Sequence, residues 1–467
     1  MTKRNKGGFL IDNLVITDYA NEGKAIGRFE GKVIFVDGAM PGDVVDVRVY
    51  FNKKDFAEAR IINFREKAAQ RLSPVCKHFT YCGGCKWQHV PYAEQLLFKE
   101  RMVHDTIKHM GKVDVAEWEP IIGSENEYRY RNKLEFAFSN RRWVPNEILT
   151  VAHAQNKPAL GYHIQGFWDK VLHVDECHLQ NEPTNAIRNA VYQYATEKGL
   201  SFYDARQQQG LLRNMMLRVL RTGEVLILLT FKENTPDILP LLEFLKSRFP
   251  EITSLNYAIN AKRNDSMSDL QVIHYSGKPY ITEMLDGLQF RISPQSFFQT
   301  NTRQAEQLYR KIKEYAGLKG GELVYDLYTG TGSIAIYLAR YAAKVVGVEY
   351  IEPAIIDARL NASLNNIDNC TFIVKDMADA LTDEFVNQHG KPDVVITDPP
   401  RAGMHPKVVE SLRSLSPEKI IYVSCNPATQ ARDLQMLDDK YAVLKSCPVD
   451  MFPHTHHLEN VALLSLR

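Results

Sequence analysis

Cys425 lies where a buried strand is predicted to end. The apolar run at residues 420–423 breaks into the polar segment Ser-Cys-Asn-Pro at 424–427, which is typical of a parallel strand and its C-terminal tip. Open α/β sheets bind ligands at this edge. A cysteine held there can act as a nucleophile, although free cysteines also pack in interiors as small apolar residues.

Four acidic residues follow successive predicted strands: Asp326, Glu349, Asp376 and Asp398. Asp326 opens a turn with a Gly-x-Gly sequence, which lets a ligand approach the backbone at a helix N-terminus. The turn lacks the third glycine of the dinucleotide fingerprint. An acid at the second strand tip suits a ribose diol. One such acid could simply cap a helix, but the ordered set predicts S-adenosylmethionine binding.

The segment Asp398-Pro-Pro-Arg401 narrows the chemistry. Methyltransferases that act on exocyclic amines usually place an aromatic residue where Arg401 stands. Because Arg401 stands there instead and Cys425 follows on the next strand, we expect a reaction that needs a covalent thiolate. Methylation of uracil at C5 is such a reaction: C5 is a weak nucleophile, and addition of a thiolate at C6 gives an enolate that accepts a methyl group at C5. A base must then remove the C5 proton. We expect Glu459 to be that base, with His456 or His457 as alternatives because imidazole titrates near neutrality.

A second group of cysteines has the spacing of a metal centre. It comprises Cys76, Cys82, Cys85 and the more distant Cys177. Two glycines before Cys85 allow the backbone to wrap closely round a centre. Four thiolates suit an iron–sulfur cluster, so the set predicts a [4Fe–4S] cluster. Zinc held with His78 or His178 is the alternative.

The elements that must position the C-terminal residues alternate between strand and helix. Predicted strands span 323–328, 344–349, 371–375, 394–397, 420–424 and 460–466, and predicted helices span 333–341, 353–364 and 406–413. This alternation is typical of a doubly wound sheet. The predicted fold class is therefore α/β, with a Rossmann-like methyltransferase domain at residues 281–467.

Two further domains are predicted before it, at residues 1–66 and 67–280. Short β-type runs over 9–64 predict a small barrel, and its phrases Gly-Lys-Ala-Ile-Gly-Arg and Gly-Ala-Met-Pro-Gly-Asp resemble the OB-like TRAM domain of RNA-modifying enzymes. The central domain carries the four cysteines and mixes helices with strands. Its segment 125–142 combines aromatic and basic residues that could contact RNA, although an ordinary edge strand would have a similar composition.

Composition limits the remaining possibilities. The chain has 467 residues, a net charge of +1 and seven cysteines, so a nucleic acid would have to bind local patches. The odd cysteine count argues against a secreted disulfide scaffold and favours the cytoplasm. The basic residues 3–6 precede no apolar segment, and no stretch reaches the ~18 apolar residues of a membrane span.

Together these motifs resemble the bacterial uracil-C5 RNA methyltransferases, most closely the 23S ribosomal RNA type with a TRAM domain and an iron–sulfur cluster. The resemblance implies that Cys425 is the nucleophile and Glu459 the proton acceptor. It also implies that a helix near 92–110 packs with the methyltransferase domain. The cofactor contacts that it implies are Gln299, Tyr328, Ser333, Glu349, Asp376 and Asp398. Thr329 stands where the family often has cysteine.

The same resemblance implies RNA as the partner, most closely 23S ribosomal RNA, with neither DNA nor a membrane. The target uridine should be turned out of its surroundings to reach the site. A monomer is expected. The same chemistry on tRNA, or at two ribosomal sites, remains open. So does a non-catalytic factor for ribosome assembly, although both residues expected to carry the reaction are present.

Overall fold

The structure is a computed structural model that describes residues 8–145, 157–164, 166–267 and 269–467. The described chain forms a closed barrel, an eight-stranded central sheet, a two-stranded hairpin and an eight-stranded C-terminal sheet. The basic residues 3–6 lie outside the described part. None of the described helices is both long and apolar enough to cross a membrane.

The N-terminal barrel confirms the predicted OB-like element. Its strands are β1 (Leu10–Tyr19), β2 (Ala25–Phe29), β3 (Lys32–Asp37), β4 (Val44–Asn52) and β5 (Phe56–Glu66), in the order β1-β2-β3-β5-β4. Alternate residues point inward, as the two-residue period of a strand requires. Ile34, Val36, Val45 and Val47 are therefore completely buried.

A helix and a short strand follow the cysteine triplet. Helix α1 spans Tyr92–Asp105 and continues as a π-helical turn over Thr106–Gly111, and strand β6 spans Val115–Trp118. The sequence predicts one regular helix here. The difference is the π-helical turn, which begins at Thr106. Gly111, where the turn ends as predicted, approaches Ala431 so closely that a β-carbon would stand 3.0 Å from the Ala431 carbonyl oxygen. Close packing thus fixes the end of the helix.

The central sheet carries two helices. Its elements are β7 (Lys133–Ser139), β8 (Arg142–Trp143), β9 (Ala159–Ile164), β10 (Phe167–His173), α2 (Thr184–Glu197), β11 (Leu212–Val219), β12 (Val225–Phe231), α3 (Ile238–Arg248), β13 (Ile252–Ile259) and β14 (Val272–Gly277). The strand order is β14-β13-β12-β11-β7-β9-β10-β8. The alternating residues Leu134, Phe136 and Phe138 of β7 face the core, with apolar residues from both helices.

The hairpin β15 (Ile281–Leu285) and β16 (Leu288–Ile292) leads into the C-terminal sheet. The elements that follow are α4 (Thr302–Ala316), β17 (Leu323–Leu327), α5 (Ser333–Ala339), β18 (Lys344–Glu349), α6 (Glu352–Leu364), β19 (Cys370–Val374), α7 (Met377–Ala380), α8 (Asp383–His389), β20 (Val394–Thr397), α9 (Pro406–Leu415), β21 (Lys419–Ser424), α10 (Pro427–Leu437), β22 (Tyr441–Val449) and β23 (Glu459–Leu466).

This sheet has the doubly wound arrangement predicted from the sequence, with an antiparallel addition. Its strand order is β19-β18-β17-β20-β21-β23-β22-β6, and the strands from β19 to β21 are parallel. Strand β23 pairs antiparallel with both β21 and β22. Strand β6 completes the sheet by pairing with β22. Apolar clusters bury both faces.

Candidate active site

The strand order brings the predicted site residues together along one edge of the C-terminal sheet. In spatial order the strands β19, β18, β17, β20, β21 and β23 place there Asp376, Glu349, Asp326, Asp398, Cys425 and Glu459. Antiparallel pairing joins Ser424 to Asn460. Cys425 and Glu459 are therefore neighbours across the β21–β23 pair, although they come from motifs far apart in sequence.

Cys425 is half-buried, and its thiol lies in an acidic surrounding. Burial, then Glu459, then Asp398 raise its pKa to about 11. Arg401 opposes them, both as a nearby positive charge and as a hydrogen-bond partner of the sulfur. Since the thiolate is the nucleophilic form, Arg401 is the group that favours the nucleophilic form of Cys425.

The two acids beside Cys425 are also perturbed. Burial and the neighbouring Asp398 raise the pKa of Glu459 well above its usual range, and Arg401 partly offsets this. Glu459 Oε2 is buried without a hydrogen-bond partner among the described residues. Burial raises the pKa of Asp398 to about 7, and Asp326 adds to the shift. With a pKa of about 7, Asp398 can exchange a proton near neutral pH.

Asp326 anchors the glycine turn. Its Oδ2 accepts hydrogen bonds from Thr329 Oγ1 and the Ala335 amide, while Oδ1 is buried without a partner in the described chain. Burial raises its pKa to about 7. Gly332 has φ +78°, and a β-carbon there would lie 2.9 Å from that of Ala358. Only glycine lets the turn pack this closely.

Tyr328 adopts φ +62°, a left-handed conformation that is rare outside glycine. Such backbone strain often marks a ligand-binding position. At the start of α5, the Ser333 hydroxyl lies 2.7 Å from the Tyr309 hydroxyl. The turn therefore presents Tyr328 and the first amides of α5 toward the edge where the acids meet.

The other predicted cofactor residues flank this turn. Glu349 is buried, and its carboxylate accepts hydrogen bonds from the Gly330 amide at 3.2 Å and the Ile351 amide at 3.0 Å. Asp376 is exposed and caps α7 by accepting from the Ala378 amide. Gln299 is largely buried. The structure thus brings the predicted residues to one edge, while Asp376 also has an ordinary capping role.

Two further residues lie at this edge that were not chosen as candidate site residues from the sequence. The Phe297 ring is 69% exposed, although the Phe297 carbonyl accepts a hydrogen bond from Thr331 of the glycine turn. An exposed ring at this edge can stack on a planar base. Arg401 is the second. Arg401 belongs to the segment Asp398-Pro-Pro-Arg401 and Phe297 stands two residues before Gln299, but exposure and charge near Cys425 require the folded chain.

The loop that carries Arg401 is held by α10. The Arg401 carbonyl accepts hydrogen bonds from Asn426 Nδ2 at 3.0 Å and Thr429 Oγ1 at 3.3 Å. Asp433, which is completely buried, accepts from the Met404 amide at 2.8 Å. The same helix that follows Cys425 therefore fixes the loop that places Arg401 beside it.

The four cysteines of the predicted cluster face one cavity. It has a volume of about 650 Å³, and Cys76, Cys82, Cys85 and Cys177 all line it. All four are free thiols. Burial raises the pKa of Cys82 and of Cys85 to about 12. Among the described residues, no three acidic, histidine or cysteine side chains converge closely enough to bind one metal ion.

The cavity also extends toward the active site. Its lining includes Arg131, Lys133, Arg401 and His457 as well as the cysteines. Arg131 lies over the ring of Phe452, with 5.7 Å between the guanidinium carbon and the ring centre. The cysteine segment and the loop before Glu459 therefore share one cavity, whose lining carries both positive charges and the acidic residues Glu135 and Glu176.

The fold and this site together define a methyltransferase that uses S-adenosylmethionine. Comparison with known proteins identifies its class more closely. The profile of the tRNA (uracil-5-)-methyltransferase family matches residues 274–467, and that of the TRAM domain matches residues 13–62.

Relatives match along nearly the whole chain. An uncharacterized RNA methyltransferase of Bacteroides thetaiotaomicron is 50% identical over 96% of this chain and all of its own length. One from Porphyromonas gingivalis is also 50% identical, over 96% of this chain and 98% of its own.

A solved structure is similar to this chain over nearly its whole length. The Pyrococcus abyssi tRNA (uracil-54, C5)-methyltransferase in complex with S-adenosyl-L-homocysteine superposes with a TM-score of 0.74. It is 30% identical and covers 97% of this chain and all of its own. The chain therefore belongs to the uracil-C5 RNA methyltransferase family, whose members use S-adenosylmethionine.

Proposed function

We propose that this enzyme methylates C5 of a uridine in RNA through a covalent bond between Cys425 and C6 of the base. The observation that carries the proposal is the pairing of Ser424 with Asn460, which sets the nucleophile beside Glu459. Arg401 supplies a positive charge that acts on both groups.

The reaction follows from the chemistry of these groups. The Cys425 thiolate attacks C6, and the C5–C6 π electrons become an enolate. S-adenosylmethionine supplies an electrophilic methyl group, which C5 accepts. Glu459 removes the C5 proton, the double bond forms again, and the bond from sulfur to C6 breaks to release the thiolate. A buried carboxylate is the stronger base because burial raises its pKa.

The residues along the sheet edge fit S-adenosylmethionine. We assign its contacts to Gln299, Tyr328, Ser333, Glu349, Asp376 and Asp398. The methyl donor carries a sulfonium and an ammonium group, and the edge offers carboxyl groups whose charged form is destabilised by burial and by other carboxyls. A bound cation would stabilise these carboxylates. The unpartnered Asp326 Oδ1 supports the same assignment.

Phe297 is the proposed stacking partner of the target uracil. Its exposed ring stands beside the glycine turn, and a base taken out of its stack is commonly held between aromatic and apolar side chains. Asp398, whose charge acts on both Cys425 and Glu459, would be close to the reacting base. Arg401 would face the base at Cys425.

We propose 23S ribosomal RNA as the target, on the resemblance of the sequence motifs. A second candidate is tRNA, because the solved relative acts on tRNA and aligns with this chain along its full length. That alignment includes the N-terminal barrel, so the barrel alone does not favour ribosomal RNA. We propose that the barrel and the central domain, residues 1–66 and 67–280, bind RNA, and that residues 281–467 carry the reaction.

We further propose that Cys76, Cys82, Cys85 and Cys177 bind a [4Fe–4S] cluster. The four free thiols share a cavity, and a cluster holds its thiolates apart on its corners, whereas zinc needs them converged. The seven free cysteines also support a reducing compartment, the cytoplasm. We propose that the enzyme acts as a monomer.

The test is a denaturing gel of the enzyme with S-adenosylmethionine and RNA that contains 5-fluorouridine. Fluorine at C5 does not leave as a proton, so the adduct should persist as a slowly migrating band. We expect this band with the native enzyme and none with Cys425→Ala. Cys447→Ala is the matched control, because Cys447 is buried away from the predicted site.

The choice of RNA completes the test. A band with 23S RNA and none with tRNA supports the ribosomal target, and the reverse supports tRNA. Loss of the band in Cys447→Ala but not in Cys425→Ala would refute the assignment of the nucleophile. The absence of any band with either RNA would refute the covalent mechanism.

A further inference from the structure

Helix α1 buries a polar face against the active-site loop, residues 450–458. The side chains of Tyr92, Gln95 and Lys99 follow one another at helical spacing, so they share one face. Gln95 and Lys99 are completely buried. A buried face on a surface helix is normally apolar, so these polar residues require a specific explanation.

The explanation lies at Asp450, the first residue of the loop. Lys99 Nζ donates to Asp450 Oδ1 at 2.5 Å, and the Tyr92 hydroxyl donates to Asp450 Oδ2 at 2.7 Å. Both side chains of the ion pair are fully buried. The Phe452 amide completes the carboxylate by donating to Oδ1 at 3.0 Å. Both oxygens of the buried Asp450 carboxylate therefore accept hydrogen bonds, as a buried charge requires.

The same face holds the loop at two further points. Lys99 Nζ also donates to the Phe452 carbonyl at 3.1 Å. The His454 amide donates to Gln95 Oε1 at 2.8 Å, and Gln95 Nε2 lies 3.2 Å from His454 Nδ1. Lys99 and Gln95 thus bond the loop backbone at Phe452 and His454, while Tyr92 bonds the side chain of Asp450.

The register of the sheet connects this clamp to the proposed base. Val449 pairs with Glu459, and Asp450 follows Val449 directly. The loop therefore closes the β22–β23 hairpin. Asp450 of the ion pair begins the loop after β22, and Glu459 follows the loop as the first residue of β23. Asp450 is therefore one residue along the chain from Val449, the strand partner of Glu459.

We propose that Lys99 is a positioning residue, which acts through Asp450 to hold Glu459 where it can remove the C5 proton. This inference rests on the proposed function, because it assigns Lys99 to the release step of that reaction. Lys99 does not touch the base or the methyl donor. Its loss should therefore slow release after methyl transfer more than it slows attack by Cys425.

The test uses ordinary RNA and S-adenosylmethionine with a radioactive methyl group. When the proton is not removed, the methylated adduct stays bound to Cys425 and migrates as a labelled band on a denaturing gel. We expect Lys99→Met to accumulate this band, as Glu459→Gln should, with release at least about tenfold slower. The native enzyme should show little of it.

Lys311→Met is the matched control. Lys311 is also largely buried and pairs with Glu119 at 2.7 Å and Glu314 at 2.8 Å, away from the loop. We expect it to lower stability without accumulating adduct. Hydrogen exchange gives a readout independent of activity: the amides of residues 452–458 should exchange faster in Lys99→Met than in Lys311→Met.

Lys99→Met alone leaves the buried Asp450 carboxylate without its cation, which could unfold the protein. The double variant Lys99→Met/Asp450→Asn therefore serves as a second test. It removes both charges and keeps an oxygen acceptor at position 450, and the same accumulation is expected. Equal slowing of methyl transfer and release in either variant would overturn the inference, since Lys99 would then stabilise the fold only. If the native enzyme forms no adduct even with 5-fluorouridine RNA, the proposed chemistry fails and this inference fails with it.

Discussion

The charges within reach of Cys425 determine how readily its thiol ionises. Burial, Glu459 and Asp398 all disfavour the thiolate, and the pKa of Cys425 is raised to about 11. The thiolate is therefore a minor form at neutral pH and becomes more abundant as pH rises. Arg401 opposes this rise in pKa, so it is the side chain that favours the thiolate.

Substitution of Arg401 tests this balance. In Arg401→Met the pKa of Cys425 should rise further, and a rise of about 1 should slow the reaction of Cys425 with iodoacetamide at pH 7 about tenfold in the free enzyme. Mass spectrometry of the peptide with Cys425 measures the rate against pH. The profile should move to higher pH in Arg401→Met and much less in Arg401→Lys, which keeps the charge. Superimposable profiles would contradict the role.

For single residues, the sequence indicates which side chains are candidates for the site better than it indicates their burial and electrostatic environment. Cys425 and Glu459 could be selected because their motifs demand a nucleophile and a base. The exposed ring of Phe297 and the charge of Arg401 could not be ranked, because burial and through-space charge depend on residues that are distant in sequence. The same holds for Asp376, whose capping role becomes visible only with α7 in place.

Hydrogen bonds join the segment of three cysteines to the active-site loop. The amides of Lys86 and Trp87, directly after Cys85, both donate to the His454 carbonyl, at 2.7 and 3.0 Å. Tyr130 donates to the Pro453 carbonyl at 3.1 Å. A centre that orders the cysteine segment would thus also order the loop before Glu459. This gives the proposed cluster a structural task in a reaction without electron transfer.

Loss of a cysteine should therefore affect RNA binding and release together. In Cys82→Ser we expect loss of bound iron and sulfide, and of any broad visible absorption of a cluster, with weaker RNA binding and a less protected loop. Cys370→Ser is the control, because Cys370 lies on β19 and should leave the iron content unchanged. Activity that survives complete loss of iron, with RNA binding intact, would show that the cluster does not order this surface.

The sequence predicts strands better where they are apolar and continuous. Strands β18 and β20 agree residue for residue with the predicted 344–349 and 394–397. Strand β22 was not predicted, because Lys445 and Pro448 interrupt its apolar pattern. Strand β6 was not predicted either, because it has only four residues, one of which is Glu117. Such strands form because a neighbouring strand supplies their hydrogen bonds, and local composition does not reveal that neighbour.

In the whole molecule, the C-terminal sheet depends on residues that precede the central sheet in the sequence. Strand β6 pairs with β22, and Gly111 packs against Ala431 of α10. Val103, Ile107 and Val113 are buried in the apolar cluster of the C-terminal sheet. The family match at residues 274–467 therefore does not include every residue that this sheet needs.

A fragment of residues 274–467 should be unstable by itself. It would expose β22 as an edge and lose three buried side chains, each worth about 1.5–3 kcal/mol. We expect aggregation in gel filtration and no cooperative thermal unfolding. The same fragment fused through a flexible linker to residues 91–118 should be monomeric and unfold cooperatively. A stable monomer without residues 91–118 would contradict this dependence.

The position of β6 also has a consequence for synthesis. Strand β6 leaves the ribosome before the central sheet, whereas its partner β22 is made almost last. At about 5–20 residues per second the nascent strand waits on the order of tens of seconds for its partner. During that time Lys99 of α1 lacks its counter-ion Asp450, and the apolar residues Val103, Ile107 and Val113 lack the sheet that buries them. The N-terminal part of the chain should therefore engage chaperones until translation ends.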